Sequence, residues 1–246
     1  MNRSLGVGLV VVLCAGCAVG GRYSGPGERS VLFRVGDVPV FGDGESVFFE
    51  SGMDVNADGA PNAYHPRNSG TDYLGNAVSL GNWWALATNS GKPSGTPFVQ
   101  DADDPYPGYY VSQTALFDVS KPRDGPARYV NANEVPYIVL SGGRAWGVAL
   151  GDLAMVMNRS NGRRTAAVVA EFGPRDKIGE GSIALAEALG IDSSPKTGGV
   201  SADIAYVIFP GSGSGFPEST DRIERRGAVL FERWGGVRHL ESCLSD

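Results

Sequence analysis

Cysteine is scarce in this sequence: there are three in 246 residues, and two of them, Cys14 and Cys17, fall in the N-terminal segment. Processing of that segment at Cys17 would leave Cys243 as the only other cysteine. No disulfide framework is then available, and the core alone must hold the fold. Histidine is scarcer still, and His65 has no Cys or His at ligand spacing, which argues against a zinc centre. Basic charge is also short, with 21 Lys and Arg against 27 Asp and Glu. A nucleic-acid binder needs a basic stripe to displace counterions, so nucleic acid is excluded as a partner. The apolar run from Leu5 to Leu13 is too short to span a bilayer. No Gly-x-Ser-x-Gly, Walker or dinucleotide fingerprint stands in a strand–helix setting, and nothing calls for a cofactor.

Glycine and proline are abundant instead, at 36 and 15. So much turn material fits many short strands joined by tight loops rather than long helices. A hydrophobic content of 42% is enough for a real core. The first 17 residues read as a lipoprotein-type signal: Arg3 supplies the positive start, and Leu13-Cys14-Ala15-Gly16-Cys17 resembles a lipobox. Cys14 stands where such signals usually carry Leu. Residues 18–30 are Gly- and Ser-rich and read as a tether, and 31–246 as a single domain. Export to the cell envelope is expected, with the chain lipid-anchored at Cys17 or secreted, and monomeric.

Strands are expected at Val31–Val35, Ser46–Glu50, Tyr109–Thr114, Tyr137–Leu140 and Asp203–Phe209, with a short one across Asn82–Thr88. Residues 54–108 otherwise read as loop. Asn161-Gly162 is the strongest hairpin signal and joins a strand ending at Met157 to one over Thr165–Ala170. Ser182–Leu189, rich in Ala and Leu and stopped by Gly190, reads as the one principal helix.

The segment from Glu171 to Ser182 carries the chemistry. It places one carboxylate at a strand end and another, Glu180, nine positions later on a turn flanked by Gly179 and Gly181. Glycosidases need such a pair, one carboxyl protonated to donate to the leaving oxygen and one ionised to activate water. A purely structural role for Glu180 is charge stabilisation at a helix start, with Ser182 as cap.

Upstream, Phe48-Phe49-Glu50-Ser51-Gly52-Met53 leads into Asp54-Val55-Asn56-Ala57-Asp58-Gly59, and Glu134-Val135-Pro136-Tyr137 precedes the acidic pair. In this order, across residues 46–192, the chain resembles the fungal-type chitosanases, glycoside hydrolase family 75. The resemblance implies Glu180 and Glu171 as catalytic residues and inverting endo-hydrolysis of β-1,4-linked chitosan or a related amino-sugar polymer. Two departures stand out: Glu171 occupies a position usually Asp, and Asn56 replaces an acidic residue. A strand–Glu–x–Gly–loop–Ile–x–Gly pattern also resembles double-psi β-barrels, among them lytic transglycosylases. The alternative is therefore a non-catalytic or peptidoglycan-directed envelope lipoprotein binding glycan with the same barrel. The fold expected is mainly β, a double-psi-type barrel with loop insertions.

Asp54, Asp58, Tyr64, His65 and Trp83 are expected to bind substrate, the carboxylates by attracting cationic amino sugars and the rings by stacking. The Asp54–Gly59 run has calcium-loop spacing, but position twelve is His65 rather than a bidentate Glu, so no metal is assigned.

Overall fold

The computed structural model describes residues 29–142 and 146–245. The signal segment, Cys17 and nearly all of the tether lie outside the described residues. Ten strands and three α-helices follow in the order β1 (Ser30–Val35), β2 (Val38–Gly42), β3 (Val47–Asn56), β4 (Val78–Ser79), β5 (Asn82–Trp83), β6 (Tyr137–Ser141), β7 (Leu153–Asn158), β8 (Arg164–Gly173), β9 (Glu180–Ser182), α1 (Ile183–Leu189), β10 (Val200–Phe209), α2 (Thr220–Trp234) and α3 (Gly236–Leu244).

The large sheet runs β1-β2-β3-β10-β7-β8-β6-β9, and β9 also pairs with β3. That second pairing closes β3, β10, β7, β8, β6 and β9 into a six-stranded barrel. Closure pairs the second side of β9, so the six barrel strands have no open end and β1 is left as the edge of this sheet. Alternation along the strands gives two apolar faces. Phe49, Ile138, Val156, Val169 and Tyr206 belong to the interior cluster, which Leu185 and Leu189 of α1 join. Phe48, Val139, Met155, Val168 and Val207 face the other way, under α2, α3 and the loops of residues 57–130.

The sequence expectations need three corrections. The helix at 183–189 is present, capped by the Ser182 side chain, which accepts from the Leu185 N–H at 3.1 Å, and ended by left-handed Gly190. It is not the principal helix, because α2 has 15 residues. Ile223, Gly227, Phe231 and Trp234 recur on one face at helical period and are the buried residues of α2. The strands expected at Asn82–Thr88 and Tyr109–Thr114 shrink to the two-residue β5 and isolated bridges such as Leu86 with Ser112. Pro93, Pro97, Pro105 and Pro107 interrupt any longer ladder there. Third, Asp54 and Asn56, expected in loop, are the last residues of β3, held by parallel pairing with β9.

Candidate active site

Four strands bring the acidic residues together. Across the barrel wall, Asp54 of β3 is the partner of Glu180 of β9, Glu180 is the partner of Val139 of β6, and Val139 is the partner of Glu171 of β8. Side chains at directly paired positions share a face, so Asp54, Glu180 and Glu171 stand in one row. They border a single open cleft of about 500 Å³ whose walls also include Asn56, Asp58, Tyr64, Trp84 and Lys177.

Glu171 reaches that row only because β8 carries a bulge. Ile138 pairs with Val169, whereas the next residue, Val139, pairs with Glu171. Ala170 is the extra residue, and it turns Glu171 from the interior face to the cleft face. Two consecutive amides from the loop pin the distortion. The Leu116 N–H donates to the Ala170 carbonyl at 2.9 Å, and the Ala115 N–H donates to the Glu171 carboxyl.

Glu180 depends on its flanking glycines. Gly179 has φ +81°, and a Cβ there would lie 2.4 Å from the Gly52 carbonyl oxygen. A Cβ on Gly181 would lie 2.6 Å from Leu185 Cδ2 and 3.1 Å from Met53 Sδ. The first glycine lets the chain turn against β3, and the second lets β9 lie close over the interior.

The two glutamates have different surroundings. Glu180 is buried, and both its oxygens accept: Oε1 from Asn56 Nδ2 at 2.6 Å and Oε2 from Lys177 Nζ at 3.0 Å. Lys177 Nζ also lies 3.3 Å from Asp54 Oδ2. Glu171 as a residue is partly open, but its Oε2 is buried and has no hydrogen-bond partner among the described residues. Burial pushes the Glu171 carboxyl well above the ordinary range, and repulsion from Asp58 and then Glu180 adds to it. Asp58 is pushed up to about 7, again first by burial and then by Glu180 and Asp72, against the hydrogen bond from the Tyr64 hydroxyl at 2.7 Å.

A raised carboxyl pKa means that the folded protein holds the proton more tightly than the unfolded chain. The Asp58 contribution to stability is therefore full below about 3.8 and is lost as pH rises through about 7. The melting temperature should fall across that window, and Asp58→Asn should flatten the fall. A variant with the wild-type pH dependence of Tm would refute this account.

Asp54, Asp58 and Tyr64 line the cleft. His65 and Trp83 lie elsewhere: His65 meets Tyr109 edge-on at 4.7 Å, and Trp83 tilts against Tyr110 at 6.0 Å. The exposed neighbour Trp84 borders the cleft instead. Strand alternation was the signal that one ring of the Trp pair faces outward, though not which one. Lys177 and Asn56 as partners of Glu180 were missed as well. Asp152, buried, accepts from the N–H groups of Ala149, Gly211 and Gly213 and ties two loops together. A second cavity of about 520 Å³ lies near Tyr106, Asn131 and Glu218. Its charges are spent in pairs such as Asp118 with Lys121 and Glu218 with Arg226, so it lacks a comparable acid pair.

A family model described as fungal chitosanase of glycosyl hydrolase group 75 matches residues 53–233. The chain belongs to that family. No curated protein matches it significantly. The matched span contains Asp54, Glu171 and Glu180 and the strands that align them, so the family match and the acidic row coincide. The family is one of glycoside hydrolases acting on polysaccharide. The acidic row thus pairs one carboxyl whose pKa burial raises with one whose two oxygens both accept.

Proposed function

We propose that the protein is an endo-acting chitosanase that cleaves β-1,4 linkages of chitosan or a related amino-sugar polymer with inversion. Glu171 is the general acid and Glu180 the general base. The carrying observation is the contrast within the row: a buried Glu171 oxygen with no partner beside a Glu180 whose oxygens both accept. In the reaction, Glu171 gives its proton to the glycosidic oxygen as the C1–O bond breaks. Glu180 takes a proton from a water whose oxygen bonds to C1 from the opposite face.

Strand geometry supports inversion. Glu171 and Glu180 are separated by the width of β6, two interstrand steps or roughly 10 Å between backbones. That favours the carboxyl spacing of about 6.5–9.5 Å that leaves room for water over the about 5–5.5 Å of retaining enzymes. Five carboxyl side chains against two lysines on the cleft wall favour a cationic polymer. The parallel pairs β3–β9 and β6–β8 fit the expected double-psi type of barrel.

Reducing-end release from chitosan, with the anomer followed by NMR from the first turnover, tests the reading. The α-anomer should appear first. Initial β-anomer would sink inversion, and release from peptidoglycan alone would move the activity to the alternative substrate.

The Trp pair gives a separate test. Trp84 is 60% exposed on the cleft wall, so Trp84→Ala should raise KM several-fold with Tm little changed. Trp83→Ala should mainly lower Tm, because Trp83 packs against the core. The reverse pattern would show that the wrong ring has been assigned to the sugar.

A further inference from the structure

Asn56 stands at the centre of the site without entering the chemistry above. Its Oδ1 accepts from the Tyr137 hydroxyl at 2.5 Å and from the Asp58 backbone N–H at 2.7 Å. Tyr137 OH also contacts the Asp58 carbonyl oxygen at 2.9 Å. The single Tyr137 hydroxyl proton has two acceptors in reach, so it is the Asp58 N–H on Oδ1 that fixes which way the amide points. Its Nδ2 must then face Glu180 Oε1 at 2.6 Å, with Asp58 Oδ2 at 3.4 Å. The amide thus carries an acceptor at one end and a permanent donor at the other, between two carboxyl groups. A carboxylate here could still accept from Tyr137 and the Asp58 N–H. It would have nothing to donate to Glu180 unless it carried a proton itself.

We propose that Asn56 is a positioning residue for Glu180: its Nδ2 holds the carboxylate toward the cleft and supplies a hydrogen that no change of pH removes. The role rests on the reading of Glu180 as base. Glu180 is faced by Lys177 from the preceding loop, Asp54 and Asp58 from β3 and its end, Glu171 from β8 and Tyr137 from β6. All of these remain in an Asn56 variant, but Asp58 loses its own contact to the Asn56 amide, so its carboxyl resonance is followed beside that of Glu180.

The test is Asn56→Asp, read as the pH profile of kcat/KM on chitosan oligomers. A second readout is the 13C carboxyl resonance of Glu180, assigned by its loss in Glu180→Gln. In the aspartate variant the new carboxylate and Glu180 share a proton, so the acid limb should move up by about one pH unit or more. The Glu180 resonance should titrate correspondingly higher. Asn56→Ala should lower kcat about tenfold or more with KM changed less than about threefold, and Tm will show whether that variant is folded. An unchanged acid limb and an unchanged Glu180 titration in Asn56→Asp would overturn the proposal. Wild-type protein inactive on chitosan would overturn the function reading alone, because the NMR titration decides the role of Asn56 without turnover.

Discussion

Glu180→Gln is expected to lower kcat on chitosan by about 10²–10⁴-fold, with Tm within a few degrees of wild type. The amide keeps the volume of the side chain and an oxygen able to accept from Asn56 Nδ2, which lies at 2.6 Å in the native site. What it loses is the capacity to take a proton from water. A structural role would give the opposite pattern, a stability loss with activity retained. Glu180 lies in β9 two positions ahead of Ser182, the cap of α1, so the two readouts together separate the roles. Glu180→Gln protein that still hydrolyses chitosan at near the wild-type rate would end the assignment of the base.

Glu171→Gln should cost a similar factor on chitosan, but the loss should depend on the leaving group. A chitooligosaccharide with a nitrophenolate leaving group needs little protonation to depart. On that substrate Glu171→Gln should recover most of its rate, whereas Glu180→Gln should not. Stability should separate the two variants as well. The Glu171 proton is bound more tightly in the folded protein, because burial and then Asp58 disfavour its charge. Its contribution to stability is full at acid pH and is lost as pH rises toward the raised folded pKa. Glu171→Gln should therefore be as stable as wild type or more so at alkaline pH, with a flatter Tm–pH curve. Equal losses on both substrates for both variants would remove the acid–base assignment.

Much of this site could be read in sequence because its signals are local. Gly179-Glu180-Gly181-Ser182 marks a sharp turn into a capped helix, and the structure shows steric reasons for both glycines. Asn161-Gly162 marked the β7–β8 hairpin for the same kind of reason. What could not be read depends on distant partners. Asp54 and Asn56 look like loop residues until β9 pairs with them from more than 120 positions away. Which tryptophan of the pair meets the cleft depends on the packing of Tyr110. The Asn56 amide is oriented locally by the Asp58 N–H, but the carboxylate it serves, Glu180, lies 124 residues on and cannot be read from the local sequence. Helix α2 is a different case. Its apolar period is present in the sequence, but its low mean hydropathy and many arginines hide it.

The bulge at Ala170 means that the aim of the acid is encoded in a pairing as well as in an identity. If Ala170 took the place opposite Val139 in a regular ladder, every reacting group would remain in the chain, yet Glu171 would fall opposite Leu140 and face inward. Deleting Ala170 would instead keep Glu171 opposite Val139 and aimed at the cleft. The loop that hydrogen-bonds the Ala170 carbonyl through Leu116 therefore guards the reaction without touching the sugar. A variant that loses this anchor is expected to keep both glutamates and the acidic groove, and to hold glycan more readily than it cuts it.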